Sequence, residues 1–188
     1  MRPIARLAFA AALAAAPLTA LPAAAAAQTP AATAGQGLSI TAVSEWLTAK
    51  GGQVSAVQHQ GGETFVTVTD GPLNWTIFFY GCTADMCGEI QFSAVFSNPA
   101  ITLEKVNDWN RDHRFLKAFY LTGSGGEPAA AVQYDVLVQP GQGVDQLADP
   151  GSVWVALVAE FARTVGYLRP AGAPADAPAT PPVPAPAH

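Results

Sequence analysis

Residues 74–96 read NWTIFFYGCTADMCGEIQFSAVF. Two runs rich in aromatic and β-branched residues, Asn74–Tyr80 and Gly88–Phe96, flank the loop Thr83-Ala84-Asp85-Met86, and such runs favour strands. Setting Cys82 opposite Cys87 pairs Tyr80 with Glu89, Phe78 with Gln91 and Thr76 with Ser93. The alternate side chains are then Trp75, Ile77 and Phe79, facing Ala94, Phe92 and Ile90. Side chains alternate across a strand, so this register collects one wholly apolar face and leaves the cysteines on the other, mixed one. The stretch predicts an antiparallel hairpin at the centre of a sheet with one buried face.

Working outward, Thr41–Lys50 has helical spacing. Val43, Trp46 and Leu47 share a stripe, Ser39 or Thr41 offers a cap, and Gly51-Gly52 ends it. Short strands follow at Val54–Gln58 and Thr64–Thr69, divided by Gly61-Gly62 and closed by Asp70-Gly71. Ile101–His113 reads as a second helix, with Thr102 as cap, Glu104 in the first turn and Ile101 stapled to Val106. Its core-facing side is read from Leu103, Val106 and Asn110, which puts Trp109 at the border of the stripe. Strands at Arg114–Thr122 and Ala129–Val138 are joined by Gly123-Ser124-Gly125-Gly126, a hairpin loop. The last helix starts at Asp149-Pro150, Asp as cap and Pro first, with Trp154, Leu157, Val158, Phe161 and Val165 as its stripe and Gly166 as its stop. The order is α-β-β-β-β-α-β-β-α: an α+β domain, an antiparallel sheet with helices packed on one face.

The chain begins MRPIARLAFAAALAAAPLTALPAAAAAQ. A short basic leader, an uncharged apolar run from Leu7 to Pro22 and Ala-x-Ala sites describe a cleavable signal peptide over residues 1–27. The apolar run is shorter than the ~20 residues of a spanning helix. Residues 28–36 carry no periodic apolar pattern and are expected to be disordered. Residues 170–188 are almost all Ala and Pro, a composition that favours a solvated, extended tail. The folded domain is placed at residues 37–169. The expected location is the periplasm or the medium, with no membrane span once the signal is removed.

The chain has 9 Lys+Arg and 14 Asp+Glu. Without Arg2 and Arg6 the basic count is 7, and the formal charge of the mature chain is −7. Such a balance argues against nucleic acid and anionic membrane surfaces as partners.

In an oxidising compartment Cys82 and Cys87 are expected to form a disulfide, with a gain of ~2 kcal/mol at best for so short a loop. A redox pair ordinarily has two intervening residues beside a helix start, and a zinc site needs four ligands with no His near this pair. His59, His113 and His188 are isolated, and His113 suits the negative end of the second helix. No nucleophile elbow, phosphate-binding glycine turn or isolated carboxylate pair is visible. The reading is therefore of a protein without catalytic residues, cofactor or metal.

The most distinctive stretch is VNDWNRDHRFLKAFYL, residues 106–121. Asn107 and Asn110 are poor helix formers, so their amides are expected either to bond backbone where helix meets strand or to serve a partner. Trp109 is either core or an anchor for a partner. Lys105, Arg111, Arg114 and Lys117 make a local basic patch. Asn107, Trp109, Asn110 and Arg114 are the candidate partner contacts.

The FFYGC strand with its second cysteine and IQF, the VNDWNRDHRFLKAFY element and the VWVALVAEF helix resemble, in this order, the YbjN family of bacterial sensory transduction regulators. The resemblance covers approximately residues 41–168. It implies a fold like that of type III secretion chaperones, no enzymatic activity and no cofactor. It also implies protein partners and allows a homodimer. The function expected is an exported, non-catalytic binding or regulatory module. The alternative is a periplasmic enzyme or small-ligand carrier whose site no sequence motif marks.

Overall fold

The computed structural model describes residues 37–169 of the 188-residue chain. The signal peptide expected over 1–27, the segment 28–36 and the tail 170–188 lie outside the described residues.

All strands belong to one antiparallel sheet. Its main path is β2 (Gln53–Val54), β4 (Glu63–Asp70), β5 (Leu73–Thr83), β6 (Met86–Ser97), β8 (Pro128–Leu137) and β7 (Lys117–Thr122). Two short pieces flank that path: β1 (Leu38–Ser39) pairs with β6, and β3 (Gln58–Gln60) pairs with β4. The helices are α1 (Ile40–Ala49), α2 (Leu103–Asp112) and α3 (Ala148–Thr164).

The central hairpin has the register read from the sequence: Tyr80 faces Glu89, Phe78 faces Gln91, Thr76 faces Ser93 and Cys82 faces Cys87. Trp75, Ile77 and Phe79 on β5, and Ile90, Phe92 and Ala94 on β6, are all buried. They pack with Val43 and Leu47 of α1, Val106 and Trp109 of α2, and Trp154, Val158 and Phe161 of α3 into one core on the helix side of the sheet. The turn is tighter than expected, since Thr83 and Met86 pair and leave only Ala84 and Asp85 at the tip. Cys82 and Cys87 are joined by a disulfide. Cys82 is exposed, whereas Cys87 is fully buried under β1, which pairs Leu38 with Cys87.

The helix starts of α1 and α2 follow their caps. Ser39 Oγ accepts from the Ala42 N–H at 3.2 Å, and Thr102 Oγ1 accepts from the Lys105 N–H at 3.2 Å. Ile101 and Val106 are both buried, as a staple requires. At the end of α3, Gly166 sits at φ 80°, and the N–H groups of Gly166 and Tyr167 bond the carbonyls of Arg163 and Ala162. That double bond pattern needs a left-handed residue, which glycine supplies without a Cβ penalty.

Four expectations change. Asp149 does not cap α3: a single 3-10 turn, Val144–Leu147, runs into the helix, which starts at Ala148 with Leu147 at the cap position and no side-chain bond. Gln146 ties this connection down instead, bonding the N–H and C=O of Gln139 and the C=O of Gly143. The strand expected at Val54–Gln58 is split into β2 and β3. Between them Ser55 Oγ takes the Thr67 N–H at 3.0 Å, so a side chain replaces one backbone partner and the ladder breaks there. The strand expected from Arg114 begins only at Lys117, because Leu116 has φ 58°, a left-handed conformation that turns the chain just before the ladder starts. Leu103 is 59 % exposed and does not share the core-facing side of α2.

Candidate functional site

The distinctive stretch forms the junction between α2 and β7. On α2 the buried stripe is Val106 and Trp109, continued by His113 just past the helix end. Trp109 is 1 % exposed. Its indole N–H donates to the Leu116 carbonyl at 3.0 Å. Its ring stacks on His113, with centroids 3.6 Å apart and planes at 10°, and meets Phe161 edge-on at 5.0 Å. The expected role of Trp109 as a partner anchor is therefore corrected. It is core, and the reason lies in the chain's return: the left-handed Leu116 turns its carbonyl back onto the indole.

Of the roles expected for Asn110, a bond to backbone where helix meets strand is observed. Its amide N–H donates to the Ala118 carbonyl at 2.9 Å, and its amide oxygen accepts from the Ala118 N–H at 2.9 Å. In an antiparallel strand the N–H and C=O of one residue point to the same side, and that side alternates along the strand. Ala118 pairs across from Val132 of β8, so the groups taken by Asn110 face away from β8, toward the free edge. One carboxamide thus stands in for a neighbouring strand at one residue. Both halves of the Asn110 amide are thus engaged with Ala118, while the residue itself stays exposed. His113 completes the junction. Its backbone N–H caps Trp109 at 2.9 Å, and its ring nitrogens lie 3.1 Å from the Trp109 carbonyl and 3.3 Å from the Glu160 carboxylate of α3.

The basic patch dissolves in the same way. Lys105 donates to the Ala100 carbonyl at 2.8 Å. Arg111 is held between Asp108 and Asp112 at 2.6 and 2.9 Å, and these carboxylates push its pKa up further. Lys117 lies 4.0 Å from Asp135 and over the Phe119 ring at 5.0 Å. Arg114 has its guanidinium over the Phe115 ring at 5.6 Å. Asn107 and Arg114 are the candidate contacts that remain on the surface with no hydrogen bond or ion pair to the described residues.

What the sequence reading did not single out is the exposed edge itself. Phe115, Phe119 and Tyr120 are 41 %, 38 % and 38 % exposed. β7 ends the sheet path, so beyond Ala118 the groups of Tyr120 and Thr122 that face the free edge have no strand beside them among the described residues. The signal was present in RFLKAFYL as three aromatics in six positions, but alternation alone assigns half of them to the core.

The family model for YbjN, described as "putative bacterial sensory transduction regulator", matches residues 39–166, well over half of the chain. The chain belongs to the YbjN family. Among solved structures it is similar to the crystal structure of YbjN from E. coli, at 20 % identity and a TM-score of 0.44 over 64 % of this chain and 83 % of that one. No curated protein matches it. The YbjN core described above therefore uses the Asn-x-Trp-Asn element as architecture: Trp109 and Asn110 fasten α2 to the edge strand. Among the described residues no three of His, Cys, Asp and Glu assemble as a metal set, and no helix is long and apolar enough to cross a membrane.

Proposed function

We propose that this YbjN member is an exported, non-catalytic regulatory module that acts by binding another protein along the β7 edge. The observation that carries the reading is the exposed aromatic edge, Phe115, Phe119 and Tyr120, flanked by Arg114 and Lys117. Aromatic side chains with arginine are the composition enriched in protein interfaces, and an edge strand offers backbone groups as well. The regulatory part of the reading rests on the family description. Export rests on the leader in residues 1–27 and on the Cys82–Cys87 bond, which suits an oxidising compartment.

The test is capture from a periplasmic extract with the full chain and with an Arg114→Ala/Phe119→Ala variant. Capture of a defined partner is expected to fall in the variant while its thermal midpoint stays near that of the parent. Equal capture by both proteins overturns the β7 assignment. The intact mass of the exported product is expected to match a start at Gln28, and a product that retains residues 7–22 overturns export by cleavage.

A further inference from the structure

The three helices pack against one face of the sheet, and among the described residues no helix lies over the other. A half-solvated antiparallel sheet ordinarily turns polar side chains outward. This one does so only in part. Val95 and Phe119 flank Ala131 across one rung of β6, β8 and β7, and Leu121 follows on the next rung of β7. Their side chains point away from the helices, since Ala94, Ala118 and Val132, which alternate with them, belong to the core. Phe119 is 38 % exposed, and Val95 and Leu121 are partly exposed. Farther along β8 on the same face stands Leu137, at 71 % the most exposed large apolar residue among those described. Between these two apolar points lies Lys117, opposite Gln133, the only lysine or arginine in any described strand.

The described chain ends where this patch begins. The Gly166 carbonyl accepts from Asn98 Nδ2 at 2.7 Å, and the Tyr167 ring packs on Phe96 at 4.9 Å. Asn98 directly follows Ser97, the last residue of β6. Residue 170 therefore sets out from the end of the sheet that carries Val95 and Leu121. Residues 170–188 contain 7 Pro, no Lys or Arg and a single acidic residue, Asp176. In the polyproline II form that such a composition favours they reach roughly 60 Å. The rung of Leu137 lies only about 26 Å from Ser97 at the rise of a strand.

We propose that residues 170–188 fold back along β8 on this open face, with proline rings against Val95, Phe119 and Leu137 and with Asp176 beside Lys117. Three observations select this occupant: where the tail starts, how far it reaches and how its one acidic residue matches the one lysine. The Lys117 rung stands about 13 Å from Ser97. Asp176 comes about 19 Å along the tail, which leaves length to round the end of the sheet. Aromatic surface recognises a preformed polyproline II segment through its proline rings, and the tether makes the encounter intramolecular, so modest contacts suffice. Phe119 also belongs to the β7 surface, so a docked tail withholds it from a partner. That consequence rests on the β7 reading, whereas the docking itself does not.

The test is ¹⁵N relaxation and NOE spectroscopy on the chain as exported. The amides of Ala175, Ala177, Ala179 and Ala185 are expected to show order parameters above roughly 0.6, the level below which backbone counts as flexible. NOEs are expected from tail proline Hδ protons to Phe119 and Leu137. Phe119→Ser and, separately, Leu137→Ser are expected to lower those order parameters while the amide spectrum of the sheet is kept. High salt is expected to lower them in the parent and to leave Asp176→Asn unaffected. Values below that level in the parent overturn the docking, as do values that survive both face variants. NOEs to Phe65 and Phe78 in place of Phe119 overturn the placement. Order that appears only as protein concentration rises, or NOEs to Phe119 from residues 28–36, gives the face to another occupant and overturns the proposal. An equal salt response in the parent and Asp176→Asn overturns the Lys117 pairing.

Discussion

The β5–β6 hairpin and the α2–β7 junction both bring distant chain segments into register, by opposite means. In the hairpin, repetition does it. A slip of one residue would move Trp75, Ile77 and Phe79 to the wrong face, so the register is held by many equivalent contacts, with the Cys82–Cys87 bond added at the tip. In the junction three unlike interactions do it: an indole on the Leu116 carbonyl, a carboxamide on Ala118 and an imidazole bridging to Glu160. Redundant contacts tolerate loss. Singular ones do not, because each removal strands a backbone group or empties a core position. The comparison teaches that the most conspicuous polar motif of this chain belongs to its framework.

The difference is sharpest at Trp109. Trp109→Ala is expected to destabilise the domain by about 3–5 kcal/mol, since it removes a buried ring and leaves the Leu116 carbonyl without its donor. The thermal midpoint should fall steeply. A shift of only a few degrees would mean that the junction is as redundant as the hairpin.

Asn110→Ala comes next, at about 1–3 kcal/mol, because the N–H and C=O of Ala118 both lose their partner at a partly covered edge. Asn110→Asp should fall between the two, since a carboxylate can accept from the N–H but cannot donate to the carbonyl. Amide exchange at Ala118 is the direct readout. Protection equal to that of the parent in Asn110→Ala would show that another group covers the edge.

For the hairpin the expected effect is smaller. Reducing the Cys82–Cys87 bond should leave a folded domain that is less stable by about 2 kcal/mol at most, as loop closure over so few residues predicts. Unfolding by mild reductant alone, followed by chemical denaturation, would place the register in the bond instead of in the apolar face.

The smallest effect concerns Tyr80, on the open face of the same hairpin. Burial raises its pKa above the usual tyrosine value, helped by Glu63, which accepts its hydroxyl, and by Asp135. A raised folded-state pKa means stability that is complete below the unfolded value of about 10 and is lost as pH rises through the folded one. Tyr80→Phe should therefore flatten part of the alkaline limb of the stability profile. Burial of Tyr167 acts in the same direction and leaves a residual slope. An unchanged limb would assign the whole alkaline loss to other groups.

These contrasts explain what could be read in advance. The hairpin register, the caps Ser39 and Thr102, the hairpin between β7 and β8 and the helix stop at Gly166 are encoded within a few residues each. The phase of α2 was misread because its only clear aliphatics are Leu103 and Val106. Leu103 stands at the first helical position, beyond the core, while the partners that draw Trp109 inward are Leu116 and Phe161. Ser55 hid its role because a serine inside a strand pattern gives no hint that its hydroxyl replaces a backbone acceptor.

The tip of the hairpin also holds the start of α1. Ile40 donates its N–H to the Asp85 carbonyl at 3.0 Å, Ser39 bonds the Asp85 carboxylate, and β1 runs against Met86 and Cys87. Ser39 and Asp85 are 46 residues apart in the chain. A ribosome therefore delivers the first helix well before its mooring exists. Because contacts of such separation form late, α1 is expected to dock only after the hairpin has closed.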